Sequence, residues 1–321
     1  MGRYIIRRLL YVILVVLIIT LVTFLIFFKL PPGDPARAFA GKQPTDELVA
    51  EVEEQLGLDQ PLYIQYGRFV KNIFLGDQYG WPGLGKSYNT RDAIRPELFD
   101  RAMVTFQLAI GAAVIWLFFG VGIGIISALR RRTVVDRVSM SFALFGVSAP
   151  VFWLGYMALF VFWEKLNVLP GTGFDYFTEN PADWFTRLIL PWTVLAVLFA
   201  AFYARMVRGN LIETMNEDYI RTARAKGLSE RKVVGKHGLR ASLTPVVTMF
   251  GMDFGLLLGG AIVTETVFNI PGLGTYVVKA VRSNDLTVIL AVTVMAAFFV
   301  TFMSLVVDII YAYLDPRVRY A

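Results

Sequence analysis

Hydrophobic residues are concentrated in six long runs along the chain. Each run holds at least 20 residues, and about 20 residues at a rise of about 1.5 Å cross roughly 30 Å of hydrocarbon as a helix. The pattern therefore predicts an all-α integral membrane protein with six transmembrane helices. The runs cover residues 9–30, 103–129, 138–163, 188–207, 243–268 and 286–314.

Charged residues between the runs predict the orientation. With both termini in the cytoplasm, the inner segments hold 18 Lys and Arg against 6 Asp and Glu, and the outer segments hold 13 against 16. An excess of basic residues on the inner side is the positive-inside distribution. It accounts for the net charge of +6 without a nucleic-acid partner. The inner segments are 1–8, 129–137, 205–240 and 314–321, and the outer ones are 29–101, 164–187 and 269–286.

Composition narrows the possible chemistry. The chain is 56% hydrophobic, has no cysteine and has one histidine, His237, so thiolate or multi-histidine metal sites are not expected. An intramembrane enzyme would need a set such as H-E-x-x-H or a base beside a membrane-embedded serine. A catalytic site, metal or cofactor of its own is therefore not expected in this chain. A stand-alone channel or carrier is one interpretation that the composition leaves open.

The runs divide the chain into four regions. Residues 1–30 form an N-terminal transmembrane helix, interpreted as an uncleaved anchor because its apolar run is long for a signal peptide. Residues 31–102 form an external segment with a polar helix over 45–56 that Gly57 ends. Residues 103–314 form a five-helix core with a cytoplasmic loop at 208–242, and 315–321 form a cytoplasmic tail.

The external segment contains a stretch whose sequence matches a nucleotide-binding motif. Residues 80–87 read G-W-P-G-L-G-K-S, which fits the P-loop pattern. A P-loop needs a buried strand before it and a helix after it, so that backbone N–H groups converge on phosphate. Neither is indicated here, and the charge pattern places Lys86 outside the cell. We therefore expect this segment to bind no nucleotide.

The loop after the fourth run predicts two short helices. Acidic Asp218 opens the first and basic residues close it, as the helix dipole favours. Gly227 can adopt the left-handed C-cap, and Ser229 can cap a second helix with Glu230 in its first turn. A basic amphipathic loop resting on anionic lipid headgroups is the alternative.

This loop resembles the cytoplasmic loop of bacterial ABC-importer permeases, whose pattern is E-A-A, three residues, Gly, nine residues, I-x-L-P. Residues 221–223 occupy the E-A-A place and Gly227 the glycine. Arg221, His237 and Arg240 depart from the acid, Ile and Pro of that pattern. With these departures the loop resembles that of the dipeptide/oligopeptide branch, in which D-Y-I-R-T-A-R-A-K-G-L and L-R-x-x-L-x-P are typical. Residues 218–228 and 239–245 fit these two patterns closely.

Further matches to that branch cover nearly the whole chain. The branch usually reads G-D-x-G-x-S near position 76, and here Gly76-Asp77 and Lys86-Ser87 are separated by an insertion that creates the P-loop-like letters. The resemblance is to the first of two permease subunits. The other matching segments are 32–35, 56–61, 265–268, 271–274, and Asp308 with 314–317.

The resemblance implies a type I ABC-importer permease in a bacterial inner membrane. It implies a homologous second permease, two ATPase subunits or domains carrying ATP and Mg, and an external binding protein that delivers peptide for alternating access. Nickel, a glutathione-like peptide or a sugar oligomer are alternative cargoes of the same branch. The residues expected to couple to the ATPase are Asp218, Tyr219, Thr222, Ala223, Arg224, Ala225, Lys226, Gly227, Leu228, Ser229 and Glu230.

Three acids fall in apolar runs, where a carboxylate is costly and suggests function. Asp253 lies near the middle of the fifth run. At 100° per residue it is opposite a close-packing stripe of Gly251, Gly255 and Gly259. Glu265 and Asp308 are near helix ends and are expected to be structural. The face expected to line the translocation pathway is Asp253, Leu257, Gly260 and Thr264, with a structural pairing of Asp253 as the alternative.

Overall fold

The computed structural model describes residues 2–29, 33–41 and 44–314, and within them every regular element is a helix. The predicted tail at 315–321 lies outside the described residues. The helices are α1 Gly2–Phe28, α2 Pro35–Phe39, α3 Asp46–Leu56, α4 Leu62–Leu75, α5 Ile94–Leu129, α6 Val134–Ser148, α7 Val151–Ala158, α8 Pro181–Thr214, α9 Asp218–Ala225, α10 Glu230–Lys232, α11 Leu239–Ser242, α12 Thr244–Leu258, α13 Ile262–Phe268, α14 Leu273–Ser283 and α15 Leu286–Leu314. Short π-helical segments continue α7 over Leu159–Lys165 and α10 over Val233–Gly238.

The membrane spans agree with the predicted fold class. Four unbroken helices in the described residues are long and apolar enough to cross a bilayer. Two bent pairs of helices bring the number to six if each pair is counted as one span. The pairs are Val134–Ser148 with Val151–Lys165 and Glu230–Ser242 with Thr244–Leu258. The unbroken spans are Leu9–Phe28, Ile94–Leu129, Pro181–Thr214 and Leu286–Ile310.

The third apolar run is not one straight helix. Its two halves meet at an angle of 103°. Pro150 follows Ala149, whose backbone is extended at φ −78° and ψ 127°. A residue before proline is pushed out of the helical region, and proline offers no N–H to continue the ladder. The bend therefore has a local cause in the sequence.

The fifth apolar run is also interrupted. Helix α12 ends at Leu258 and α13 begins at Ile262. Between them Gly260 has φ +124°, a conformation that L side chains rarely adopt, and a Cβ at Gly260 would lie 2.9 Å from the backbone nitrogen of Gly274. Only glycine fits this close approach.

The folded chain consists of two compact units. The first comprises the described part of Met1–Phe106, Gly255–Glu265 and Pro271–Leu305. The helix predicted over 45–56 is present as α3, which Thr45 caps by accepting from the Leu48 N–H and which Gly57 ends with φ +65°. Phe24, Phe28, Phe39, Val52, Tyr88 and Leu290 form a buried cluster in this unit.

The second unit comprises the described part of Gln107–Phe254, Thr266–Ile270 and Val306–Ala321. Within it, α5 approaches α8 closely at Gly120 and Gly124. A Cβ at Gly120 would lie 2.9 Å from the Ala200 carbonyl oxygen, and one at Gly124 would lie 2.7 Å from that of Ala204. This small-xxx-small spacing allows membrane helices to pack backbone against backbone.

Candidate functional site

The predicted helix, turn and helix around Gly227 are present. The Leu228 N–H donates to the Ala223 carbonyl at 3.4 Å and the Gly227 N–H donates to the Arg224 carbonyl at 2.9 Å. Together with φ +76° at Gly227, these two bonds form the Schellman motif that ends many helices. A Cβ at Gly227 would meet nothing within 4 Å, so only the backbone conformation requires glycine here.

A small apolar cluster anchors this loop to the rest of the second unit. Ile220, Ala223 and Val233 are buried and pack with Met215, which follows α8. A Cβ at Gly238 would lie 2.9 Å from the Met215 sulfur. The two short helices are therefore packed against the C-terminal end of the long helix α8.

The opposite face of the loop is exposed and charged. Arg224 donates to both carboxylate oxygens of Glu230, at 3.2 and 2.8 Å, and so ties α9 to α10 across the turn. These bonds hold the pKa of Glu230 below its ordinary value. Both side chains are largely exposed, so water screens the bridge and it adds little to stability.

Two details of the predicted loop differ in the structure. Ala223 is only 6% exposed and packs inside the chain's own cluster, so it supports the loop from within. Ser229 occupies the N-cap position of α10, but its side chain makes no capping hydrogen bond. Among the other predicted coupling residues, those that lie exposed are Asp218, Tyr219, Thr222, Arg224, Ala225, Lys226, Gly227, Leu228 and Glu230.

Asp253 has a partner inside the second unit. The buried Tyr203 hydroxyl donates to its Oδ2 at 2.7 Å. The Tyr203 ring lies 6.2 Å from the ring of Trp116, which also contacts Phe250 at 6.0 Å. The Trp116 indole N–H is buried and has no hydrogen-bond partner in the part of the chain that the structure describes. Asp253 itself is partly exposed.

The rest of the predicted pathway face is not one continuous surface. Leu257 and Thr264 are buried, at 8% and 2% exposure, and Gly260 packs on the backbone at the start of α14. The projection at 100° per residue assumed an uninterrupted helix, and α12 ends at Leu258. Gly255 and Gly259 of the small-residue stripe do pack closely, on Met303 and Ala296 of α15.

Glu265 has a structural position in the first unit. It is fully buried, accepts from the Thr105 hydroxyl at 2.8 Å and accepts from the Thr275 N–H at 2.9 Å. A Cβ at Gly272 would collide with its carboxyl group, and one at Gly274 would lie 2.9 Å from its Oε2. The glycines in residues 271–274 thus make room for a carboxyl group at the N-terminus of α14.

The P-loop-like segment lacks the structure that phosphate binding requires. It follows α4, a helix, and α5 begins only at Ile94. The Lys86 ammonium donates to Glu51 Oε1 at 2.6 Å, and the Ser87 hydroxyl donates to Asp285. Both side chains that would contact nucleotide are therefore engaged by carboxylates of the same chain.

Comparison with known proteins identifies the class of the chain. Residues 120–320 match the family of binding-protein-dependent transport system inner membrane components, and residues 1–109 match the corresponding N-terminal family. The chain therefore belongs to this family and is a permease subunit of an ABC importer. Such a permease works with an ATPase and a substrate-binding protein.

Individual relatives resemble the chain along its full length. It is 42% identical over 320 residues to the glutathione transport system permease protein GsiC of Escherichia coli strain K12, covering 100% of both chains. It is 36% identical, with the same coverage, to the probable peptide ABC transporter permease protein y4tP of Sinorhizobium fredii.

Solved structures support the fold. The inward-facing MetNI methionine ABC transporter matches with a TM-score of 0.56 at 18% identity, covering 69% of this chain and 97% of that one. An amino acid ABC transporter matches with a TM-score of 0.50 at 13% identity, covering 70% and 94%. These structures share the helical arrangement of importer permeases.

Proposed function

We propose that the chain carries peptides into a bacterial cell across the inner membrane by alternating access. The proposal is supported by the full-length similarity to permeases named for peptide and for glutathione transport. Glutathione is itself a tripeptide, so both names describe one chemical class. In this proposal a homologous second permease completes the pathway, and two ATPases carry ATP and Mg on the cytoplasmic side.

The loop around Gly227 is the proposed contact with the ATPase. Its inner face packs on the end of α8 through Ile220 and Val233, and its outer face exposes Tyr219 and Leu228. A rigid surface held by a Schellman turn and an ion pair can pass a displacement on to a membrane helix, since packed elements move as units. This exposed and anchored turn is the observation that carries the proposed contact with the ATPase.

Asp253 is the proposed polar group on the peptide pathway. Tyr203 provides its hydrogen bond, and one carboxylate oxygen remains available on a partly exposed side chain. A carboxylate in this position can attract the ammonium group of a peptide N-terminus. One charge without a closed cage of donors would orient the cargo and still allow its release.

The experiment is ATP-dependent uptake of a labelled tripeptide by the reconstituted complex with its binding protein. We expect uptake, competition by unlabelled glutathione, and loss of uptake in Gly227→Pro, because proline cannot adopt φ +76°. Gly235→Ala is the matched control, since Gly235 lies in the same loop with open space around it. Permease content of the membrane and co-purified ATPase are measured on each variant.

Two results would contradict the proposal. Uptake that continues without ATP would indicate a channel or carrier. Unchanged uptake and unchanged ATPase recovery in Gly227→Pro would show that this turn does not couple the two subunits. Glutathione transport in preference to other tripeptides would narrow the cargo within the proposed class.

A further inference from the structure

Helix α4 has an exposed surface unlike that of a helix in water. Its exposed residues include Tyr63 and Leu75, which are 75% and 74% exposed, and Phe74, which is 48% exposed. The only charged side chains of α4 are Arg68 and Lys71, and both lie on this exposed side. An exposed face of aromatic, aliphatic and basic residues without acids is typical of helices that lie in a membrane interface.

The neighbouring helix α3 provides the contrast. Five of its 11 residues are acidic and none is basic. Acidic side chains are repelled by the phosphates of a lipid surface, whereas Arg and Lys side chains extend towards them. The two consecutive helices of the predicted external segment therefore differ in their surfaces: that of α3 suits water, and that of α4 suits a lipid surface.

Contacts of α4 place it beside the apolar span of α1. The Tyr66 hydroxyl donates to the Leu17 carbonyl at 3.1 Å, and the rings of Tyr66 and Phe69 lie 5.5 and 5.9 Å from that of Phe24. Leu17 is 11 residues before Phe28, which is about 16 Å along a helix. The hydroxyl of an external residue thus reaches well inside the Leu9–Phe28 span.

An apolar cleft opens at the same place. It has a volume of about 70 Å³ and is lined by Val16, Ile19, Ile73, Phe74, Val294 and Phe298. Val16 lies 12 residues before Phe28, and Phe298 lies 12 residues after Leu286. Both are about 18 Å inside their helices, so the cleft is at the depth of hydrocarbon and not of water.

We propose that α4 dips from the membrane interface into the outer leaflet, with its Phe74 end in hydrocarbon and with lipid acyl chains covering Phe74 and Leu75 and entering the cleft. Lys71 extends to the lipid phosphates, whereas the Arg68 guanidinium lies against Gly57, where an added Cβ would be 2.4 Å from Arg68 Nη1. The surface of α1 beside the cleft exposes Ile18, Leu21 and Val22, as a lipid-facing span does, and the α4 surface continues it. The proposal places part of the predicted external segment 31–102 in lipid, and it is independent of the cargo.

The test is the solvent accessibility of spin labels on the assembled importer in phospholipid nanodiscs. The chain has no cysteine, so single-cysteine variants can be labelled directly. Leu75→Cys reports α4, and Glu54→Cys on the exposed side of α3 is the aqueous reference. Leu14→Cys, at a position 52% exposed on α1, is the bilayer reference. Collision with oxygen, which partitions into lipid, and with a water-soluble nickel chelate is measured for each.

We expect the oxygen-to-nickel accessibility ratio at Leu75 to approach that at Leu14 and to exceed that at Glu54 several-fold. Nickel accessibility at Leu75 equal to that at Glu54 would overturn the proposal, because the helix would then lie in water. Low accessibility to both reagents would overturn it as well, because a protein partner would then cover the face. ATP-dependent uptake by each labelled complex verifies that the label leaves the fold intact.

Discussion

Glu265 and Asp253 are 12 residues apart in one apolar run, yet their surroundings differ. Glu265 is fully buried and accepts from Thr105 and from the backbone at the start of α14. Asp253 is partly exposed and accepts from Tyr203 alone among the described residues. Hydrogen-bond donors of the protein surround the Glu265 carboxyl group, whereas the Asp253 carboxyl group can accept a further hydrogen bond.

The difference shows why an acid in an apolar run is not by itself a functional site. The cost of removing a carboxyl group from water can be offset by hydrogen bonds within the protein. It can also be avoided by partial exposure to a hydrated path. Counting the donors around each acid separates the two cases, and sequence position alone does not.

The largest effect on stability is expected at Glu265. Glu265→Gln keeps the shape but replaces one acceptor oxygen by an NH₂ group, so either Thr105 or the Thr275 N–H faces a donor. An unsatisfied buried group of this kind costs roughly 1–3 kcal/mol. Thermal unfolding of the purified complex should show a lower Tm. An unchanged Tm would contradict the structural role and remove the contrast with Asp253.

A much smaller effect is expected at Lys86, whose carboxylate partner is partly exposed. The Lys86 ammonium holds the pKa of Glu51 below its ordinary value, so this contribution to stability is present above the unfolded-state pKa and is lost as pH falls through the folded one. Lys86→Ala should cost at most about 1 kcal/mol and leave ATP-driven uptake unchanged. Photo-crosslinking of ATP to residues 80–87 in the assembled complex would contradict this.

Much of the fold follows from short-range signals. The apolar runs predict the membrane helices, and the left-handed turn at Gly227 follows from a glycine between an acidic helix start and a serine. The bend at Pro150 also has a signal in the sequence, since proline disfavours a helix at the preceding residue. Its angle of 103° depends on packing and could not be predicted from the run.

The missed features depend on contacts between distant residues. Glu265 binds a backbone N–H ten positions away and a hydroxyl 160 positions away, so its burial was not visible in a helix projection. The glycines of residues 271–274 were a usable signal, because a repeated glycine at a helix start indicates a close approach. Gly120 and Gly124 carried a similar signal for the packing of α5 on α8.

The most direct test of the account is Asp253→Asn in the reconstituted importer, with uptake and Tm measured on the same preparation. Asparagine keeps the shape and can still accept from Tyr203, so we expect an unchanged Tm. We expect lower uptake of a tripeptide with a free N-terminus and little change for one with an acetylated N-terminus. A lower Tm with unchanged preference between the two peptides would contradict the account, because Asp253 would then be a structural acid like Glu265.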